Sequence, residues 1–576
     1  MVVVDRDTSP CGPRRFLVVN PKVVDATTGV RRDYIKVSRE ITTTLRRAEV
    51  STLAFCRTRR AVELLTRYLR DDEAREVSGR RAGAHGGDGP TALRTARTAI
   101  RGYRGGYLPE RRREIERALR EGEARVVAST NALELGVDIG GMDAVVLAGY
   151  PGTRAATWQR AGRAGRRGQP SLAVMVLSSS PLDQFVGASP DFLFDRAIEQ
   201  ARVDPDNPEV LLPHIRCAAQ ELPIMDGEAL PGLGAEDTEL AVGYLAGRGG
   251  LHYEPGPGDT GAHVVLGGDS PAEQVAIRGA MEENFSVLDP AGEVLAQVDF
   301  EDGPLYLHPG AIYPIEGTPY EVRELDWDGR KASVRKVNAS YYTVAVSKLR
   351  VRVVDATEED DPEAQPPEWG AGTGYAHVVR KVPAFKKIRL GTHDNIGFGP
   401  INLPDLELHT TAAYWGMPPE ILREMPDPGR RAAAALACAH AMRHAAALLL
   451  MCDVGDLRHA VTSGHPGAWG IALDGGHGPD ALAEIEAGGV PHIVLIDRNP
   501  GGAGLAVHAF TMGTMFFDRV IAVVTGCDCG QGCPTCMGPS TEAAEQYGVE
   551  RSDVVTVLRA LRRTAAATEG EQRGPA

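Results

Sequence analysis

Short apolar runs and charged helical stretches alternate from residue 36 to residue 148, and this alternation constrains the fold more than any other feature. Residues 36–50 have helical spacing, Thr52–Cys56 is a short apolar strand, and Thr58–Arg70 again carries apolar positions at helical intervals. A Gly- and Arg-rich stretch at 78–106 leads to a charged helix, Leu108–Glu121, and then to strands at 125–129 and 144–148. Strands alternating with helices predict a parallel α/β sheet. The lobe should cover 36–200, after an irregular lead-in or linker at 1–35 that holds a strand in FLVVNP.

The string WQRAGRAGRRG runs from Trp158 to Gly168 within this lobe. Arg160, Arg163 and Arg166 recur every three residues, with Gly162, Gly165 and Gly168 between them. The spacing sets the guanidiniums along one side of a helical turn, and the small residues admit a close phosphate-bearing surface. A guanidinium is planar, permanently charged and able to grip phosphate with two donors. That suits the charge developing on a transferring phosphoryl group. Upstream, VVASTNALELGVD at 126–138 passes from a β-branched pair through Ser129 and Thr130 to Gly136 and Asp138.

The net charge of −14 conceals an asymmetry. Residues 1–180 carry 33 Lys and Arg against 20 Asp and Glu, a balance of +13, and the remainder carries −27. A basic lobe on an acidic body predicts that the first part handles a polyanion. No run of about twenty apolar residues stands out, so no membrane span is expected. The N-terminus MVVVDRDTSP lacks a signal-peptide pattern, and a reducing, cytoplasmic setting is expected. Five of the nine cysteines are scattered singly, which argues against a disulfide framework.

Beyond the lobe, NPEVLLPHIRCAAQELPI opens a helix behind a proline, and a second helix at 236–247 leads to GRGGLHY and a Gly/Pro loop. These fit a winged-helix-like module over 205–300. Alternating runs (LYLHPGAIYPI, YEVRELDW, SYYTVAV, LRVRVVD) predict a small β-barrel or sheet over 301–356. An acidic Pro/Gly-rich linker follows at 357–374, then an α/β domain over 375–565 and a disordered tail at 566–576. The alanine-rich helix at 430–451 is apolar all round and therefore buried. Its His440 and His444 are spaced to bind a metal but read as buried core residues, as do Tyr414, Trp415 and Phe510. PGGAG at 500–504, after a strand and before a helix, could hold a phosphate on its backbone N–H groups but reads better as a packing turn.

Cys527, Cys529, Cys533 and Cys536 stand together in CDCGQGCPTC, with Gly530, Gly532 and Pro534 to turn the loop. Four soft thiolates so close together match tetrahedral Zn²⁺. An iron–sulfur cluster also takes four thiolates and stays the alternative. No coordination position is left open, so the zinc is expected to be structural and to fasten the C-terminal segment.

In their order and separation, VVASTNALELGVD and WQRAGRAGRRG resemble motifs V and VI of superfamily 2 helicases, which lie on the second RecA-like lobe. LAFCRTRRAVELL at 53–65 resembles motif IV, and YRGGYLPERRREIERAL at 103–119 the segment between motifs IV and V. With NPEVLLPHIRCAAQELP, HPGAIY, IDRNPGGAGLA and CDCGQGCPTC added, the chain from about residue 15 to 560 is similar to the mitomycin repair factor A group of DEAD/DEAH-box helicases. That group carries a C-terminal domain named for four zinc-binding cysteines. The resemblance implies an ATP-dependent helicase, an ATP hydrolase, moving 3′ to 5′ on single-stranded or 3′-tailed DNA in DNA repair. It implies that Arg57, Tyr103, Arg104, Gly105 and Thr130 meet nucleic acid. It implies that Gly136, Asp138, Gln159 and Arg160 sense ATP and organise the interlobe cleft. Arg163 and Arg166 would be catalytic arginine fingers on the γ-phosphate.

The sequence departs from that pattern in one respect. No GxxxxGK[ST] loop, which would cradle phosphates and Mg²⁺, occurs in it, and no DEAD- or DEAH-type tetrad. Asp72-Glu73-Ala74 lies in a charged helix with no apolar strand before it. The first RecA lobe is therefore expected to be missing here, with ATP and Mg²⁺ bound only when a separate polypeptide supplies it. Two other readings stay open: an ATP-independent nucleic-acid-binding zinc protein, and the remnant of a split helicase gene.

Overall fold

The computed structural model describes residues 12–25, 30–82, 99–135, 141–165, 168–196, 198–199, 207–256, 261–266, 270–275, 284–354, 370–463, 467, 469–472, 490–527, 529–538 and 547–573. The first strands are β1 (Arg14–Val19), the short pair β2 (Val23–Asp25) and β3 (Val30–Arg31), β4 (Thr52–Cys56), β5 (Ile100–Tyr103), β6 (Val126–Ser129), β7 (Ala144–Ala148) and β8 (Ser171–Val176). Apart from β2 and β3, which pair with each other, they form one all-parallel sheet in the order β1-β8-β7-β4-β6-β5.

Period-two alternation sends Leu53, Phe55, Val127 and Val145 to one face and Ala54, Cys56, Val126 and Val146 to the other, all at most 1% exposed. Both faces are covered, as a parallel sheet requires. Helices α1 (Tyr34–Arg47) and α2 (Arg59–Ala82) cover the second face. Helix α3 (Pro109–Arg120) lays Ile115 and Leu119 on the first. Asp33 caps α1 by accepting from the Lys36 N–H at 2.8 Å, and Arg46 in its last turn pairs with Glu73 and Glu76 of α2. Each buried leucine or isoleucine here stabilises the lobe by about 1.5–3 kcal/mol.

The sheet begins earlier than the pattern from residue 36 suggests. β1, inside the expected lead-in, pairs with β8 from Arg14 opposite Ser171 to Val19 opposite Val176. As an edge strand it leaves Leu17 49% and Val18 38% exposed, so no clean burial pattern marks it in the sequence. β5 was hidden for a different reason: it is short and sits in the Gly- and Arg-rich stretch.

The segment expected to form a winged-helix-like module contains α6 (Pro208–Glu221), β9 (Ile224–Met225), α7 (Ala235–Gly247), β10 (His252–Pro255) and β11 (Gly261–Val264), whose strands pair antiparallel in the order β10-β11-β9. It is preceded in the lobe by α4 (Arg154–Ala161) and α5 (Pro181–Ala188). Its small core holds Ile215, Ile224, Val242 and Leu245.

The barrel is not built from 301–356. Strands β12 (Phe285–Leu288), β13 (Val294–Val298), β14 (Ile312–Ile315), β15 (Thr318–Asp326) and β16 (Lys331–Lys336) form an open five-stranded sheet, two of them from the segment expected to complete the winged module. The closed barrel arises from β17 (Tyr341–Val354), β18 (Ala371–Arg389), β20 (Leu406–Gly416), β21 (Leu457–Ser463), β22 (Gly470–Ala472) and β23 (Pro491–Asp497), with β19 (Asn395–Pro400) appended to β18. β17 pairs with both β18 and β22, which closes an antiparallel ring of six. Leu349, Val351, Val378 and Ile496 fill it. Alternation identified β17 as a strand, but its partners come from far along the chain, which local pattern does not reveal. The expected linker at 357–374 gives up Ala371–Gly374 to β18; residues 357–369 lie outside the described residues.

Helix α8 (Pro428–Leu450) runs through the middle of the C-terminal domain, capped by Asp427, which accepts from the Gly429 N–H at 2.9 Å. By length and hydropathy it could cross a bilayer, yet 89% of its most apolar window is buried inside the fold. It packs on β21 and β23, on α10 (Gly513–Thr525) and α12 (Arg551–Arg573), and on α5 of the first lobe. Alanines let these neighbours come close, and one continuous apolar core joins the lobe to the C-terminal domain. The tail expected to be disordered is helical to Arg573.

Candidate functional site

A parallel sheet brings every strand's carboxyl end to one edge, the usual place for a ligand crevice. Arg57 follows β4 there, Gly105 follows β5 and Thr130 follows β6. Thr130 is 8% exposed and caps a short turn by accepting from the Ala132 N–H at 3.5 Å. Arg57 lies 3.8 Å from the carboxylate of Asp183. Asp183 is fully buried at the start of α5 and accepts from the N–H groups of Ser178 at 2.6 Å and Tyr150 at 3.3 Å. Nothing in the local pattern marks this acid, since a lone Asp after three serines reads as a helix cap.

Tyr103 and Arg104 are not on this edge as ligand-facing groups. Tyr103 is 2% exposed and donates its hydroxyl to Glu116 at 2.6 Å. Arg104, 1% exposed, donates Nε to Glu63 at 2.7 Å and an Nη2 proton to the Tyr313 hydroxyl at 3.0 Å, with its guanidinium 4.7 Å from the centre of the Tyr107 ring. The cause is the five-stranded sheet, which packs over YRGGY. The Gln297 N–H donates to the Gly106 carbonyl at 2.8 Å, and a Cβ at Gly106, whose φ is +89°, would run into the Gln297 carbonyl oxygen. Glu316 from the β14–β15 turn draws Arg70, Arg101 and Arg111 around it, and those guanidiniums hold its carboxyl below the usual range against the pull of burial. The basic cluster that the sequence offered to a polyanion is thus satisfied by the protein's own acids. Gly105 is half-buried beside Arg59, which is itself paired with Asp299 and Asp302.

Motifs V and VI meet at Glu134. Thr153 caps α4 by accepting from the Ala156 N–H at 3.0 Å, and the helix carries Gln159 exposed and Arg160 8% exposed. Arg160 donates Nε to the Glu134 carboxylate at 2.7 Å and lies over the Phe55 ring at 5.5 Å. Arg163, half-buried, donates Nε to the Glu134 backbone carbonyl at 2.9 Å, and Nη2 reaches the same oxygen. Gly165, at φ +84°, then donates to the Met142 carbonyl at 3.0 Å, tying the string to β7. Trp158 packs with Phe16 and Phe194 in a triangle of ring contacts, 5.3–5.8 Å. Gly136, Asp138 and Arg166 lie outside the described residues.

The four cysteines close a second site. Cys527 follows α10, Cys533 is the N-cap of the short helix α11 (Pro534–Met537), and Cys536 lies within it. Sγ separations are 3.6 Å for Cys527–Cys533, 3.5 Å for Cys529–Cys536 and 3.8 Å for Cys533–Cys536, all four atoms lying within 4.8 Å of one another. A zinc ion with bonds of about 2.3 Å needs sulfurs roughly 3.8 Å apart, so the donor set fits tetrahedral Zn²⁺. The hydrogen bonds the thiols share pull Cys533 down and push Cys527 and Cys536 up, so without a cation the four cannot all be thiolates together. Arg551 of α12 donates to the Cys527 carbonyl at 2.6 Å, and Thr535 donates to the Ser179 carbonyl of the first lobe at 2.7 Å, so the knot ties three elements together. The sequence showed the thiols but not these two anchors. The His440 and His444 rings lie 4.5 Å apart in the core, tilted at 54°; burial pushes His440 down to about 4 and His444 further. PGGAG is no phosphate loop: Asp497 accepts from the N–H groups of Ala503, Leu505 and Ala506 at 2.6, 3.0 and 2.7 Å, filling the start of α9 (Leu505–Thr511). Tyr414, Trp415 and Phe510 are core residues, Trp415 lying 5.8 Å from the Phe510 ring.

Residues 438–537 match the family described as the MrfA Zn-binding domain, and residues 34–168 the helicase conserved C-terminal domain. An ATP-dependent helicase of Bacillus subtilis, YprA, is 34% identical over 94% of this chain, which covers 66% of that protein. The ATP-dependent helicase HRQ1 of Saccharomyces cerevisiae is 27% identical over 94% of the chain, which covers 48% of it. A crystal structure of the helicase MrfA bound to DNA superposes with a TM-score of 0.65 at 32% identity, over 95% of this chain and 66% of that one. The chain thus spans from about half to about two thirds of the length of these relatives.

Proposed function

Because the chain belongs to the MrfA-type family of superfamily 2 helicases, we propose that it supplies the second RecA-like lobe and the accessory domains of an ATP-dependent DNA helicase that moves 3′ to 5′ on single-stranded or 3′-tailed DNA in DNA repair, in the cytoplasm. The junction of Arg160 and Arg163 on Glu134 carries this reading. It holds two guanidiniums in place on a rigid sheet while leaving Gln159 exposed beside them. In this reading a triphosphate and its Mg²⁺ sit on a phosphate-loop lobe facing this one, on the same polypeptide or another. Arg163 leaves the Glu134 carbonyl for the γ-phosphate, Arg166 joins it, and Gly136, Asp138 and Gln159 register the nucleotide. DNA crosses the carboxyl edge of the sheet at Arg57 and Thr130. The zinc is structural and holds the C-terminal domain to the lobe.

A nucleic-acid-binding zinc protein without ATP chemistry is the second reading, favoured by the lack of GxxxxGK[ST] in these 576 residues. One experiment separates the two. The 576-residue chain is titrated with fluorescent 3′-tailed DNA over a range of salt, and its ATP hydrolysis is followed alone and with a phosphate-loop lobe from a relative. DNA binding that weakens steeply with salt, and hydrolysis that appears only with the added lobe and disappears in Arg163→Ala, support the motor. Binding without restored hydrolysis favours the second reading, and absent or salt-insensitive binding sinks both.

A further inference from the structure

The outside of the closed barrel bears a basic, flat-ringed face that the helicase motifs do not use. Along β17, Leu349, Val351 and Val353 point into the barrel, so Lys348, Arg350 and Arg352 stand outward, all exposed. Register extends this row sideways. Lys348 faces Lys381 on β18, Arg352 faces His377, and His377 faces His409 on β20. On the other flank, Trp469 precedes β22, and the guanidiniums of Arg350 and Arg352 lie 5.5 and 5.2 Å from its ring centre. The imidazoles of His377 and His409 are stacked 4.7 Å apart at 6°, and His377 lies 5.4 Å from Trp469. Tyr375 stands 56% exposed two residues along β18.

This face is out of keeping with the body that carries it. Residues 181–576 hold a balance of −27, yet the outward positions named here set four permanent cations against one carboxylate, Glu407, which accepts from His377 at 3.3 Å. Nδ1 of His377 is buried and makes no hydrogen bond among the described residues. From Lys348 to Arg352 the row measures about 13 Å, and three strands span about 10 Å. Cations spaced along a strand suit successive phosphates, and guanidinium, indole and imidazole planes between them suit the faces of bases. A duplex hides those base faces, so the matching polyanion is single-stranded.

We propose that the β17–β18–β20 face of the barrel, with Arg350, Arg352, His377, His409 and Trp469, is a second binding surface for single-stranded nucleic acid, separate from the motif edge of the lobe. It deepens the helicase reading, as a place to hold strand away from the motor, and the test keeps the two apart.

The test uses the full 576-residue chain and fluorescent oligo(dT), by anisotropy over a salt series. Arg350→Gln with Arg352→Gln should weaken binding at least tenfold and reduce the salt slope by about 1.4, at roughly 0.7 per phosphate on a single strand. Trp469→Ala should weaken binding by about tenfold with the slope unchanged. Arg350→Lys with Arg352→Lys should keep the slope and lose affinity. Lys331→Glu with Lys336→Glu, on the five-stranded sheet, should change little. Melting curves and zinc content establish that each variant is folded. Wild-type binding that survives both the double Gln variant and Trp469→Ala overturns this inference and leaves the helicase reading standing. A wild-type chain that fails to bind oligo(dT) overturns both.

Discussion

Arg163 directs Nε and Nη2 to a single acceptor, the backbone carbonyl of Glu134. A main-chain oxygen cannot be removed by substitution, so this resting place depends on the fold of the motif V turn and not on its side chains. The neighbouring Arg160 uses the Glu134 carboxylate instead. The two arginines therefore answer differently to the same mutation.

Glu134→Ala should leave Arg163 seated and strand Arg160, whose side chain is 10% exposed. A buried guanidinium without its carboxylate costs about 3 kcal/mol, visible as a lower urea midpoint. Arg163→Ala should cost under about 1 kcal/mol of stability, while hydrolysis in the complete motor should fall about a thousandfold or more. Equal stability losses in the two variants would count against the division of roles.

Arg104→Ala should destabilise by about 3–5 kcal/mol, since it leaves Glu63 buried and unpaired. DNA affinity measured on the fraction still folded should match wild type. A loss of affinity with no loss of stability would return Arg104 to the DNA-contacting set.

Metal analysis should give one zinc per chain, and Cys533→Ser should abolish it. Because Thr535 and Arg551 anchor the knot to the lobe and to α12, zinc removal should raise hydrogen exchange in both places. Iron with visible colour would mean a cluster in place of zinc.

Asp497→Ala should cost about 3 kcal/mol or more, because three backbone N–H groups lose their shared acceptor inside the fold. Nucleotide affinity should not move. A change in affinity without a stability change would identify the loop as a phosphate cradle after all.

Acid should weaken the fold through His308. It is fully buried, stacked 4.5 Å from the Phe385 ring, and burial pushes it down to about 4. The unfolded chain then binds the extra proton between about pH 6.5 and 4, so stability is present above that window and falls as pH drops through it. His308→Phe should lessen the fall of the melting temperature over that range without abolishing it, because His440 and His444 are pushed down as well; an unchanged slope would assign the acid lability to those groups.

What could be read in advance was local. Short apolar runs marked β4, β6 and β7, helical spacing marked α2, charge marked α3, alanine content marked α8, and the four cysteines needed only their spacing. What could not be read was pairing over distance. Nothing in SYYTVAV says that β17 joins β22, and nothing in YRGGY says that the β14–β15 turn will cover it. For the same reason the arginines that look alike in sequence diverge in role: Arg104 meets Glu63 and is enclosed, Arg163 meets a carbonyl and stays half-exposed, and Arg352 remains on the surface.

Helix α5 of the first lobe and the barrel strands β21 and β23 pack on the same helix, α8, within one apolar core. Parting the two would expose that core to water. Any swing of the lobe toward a facing partner must carry the barrel and the sulfur knot along as ballast, and a strand lying on the barrel would be hauled the same distance.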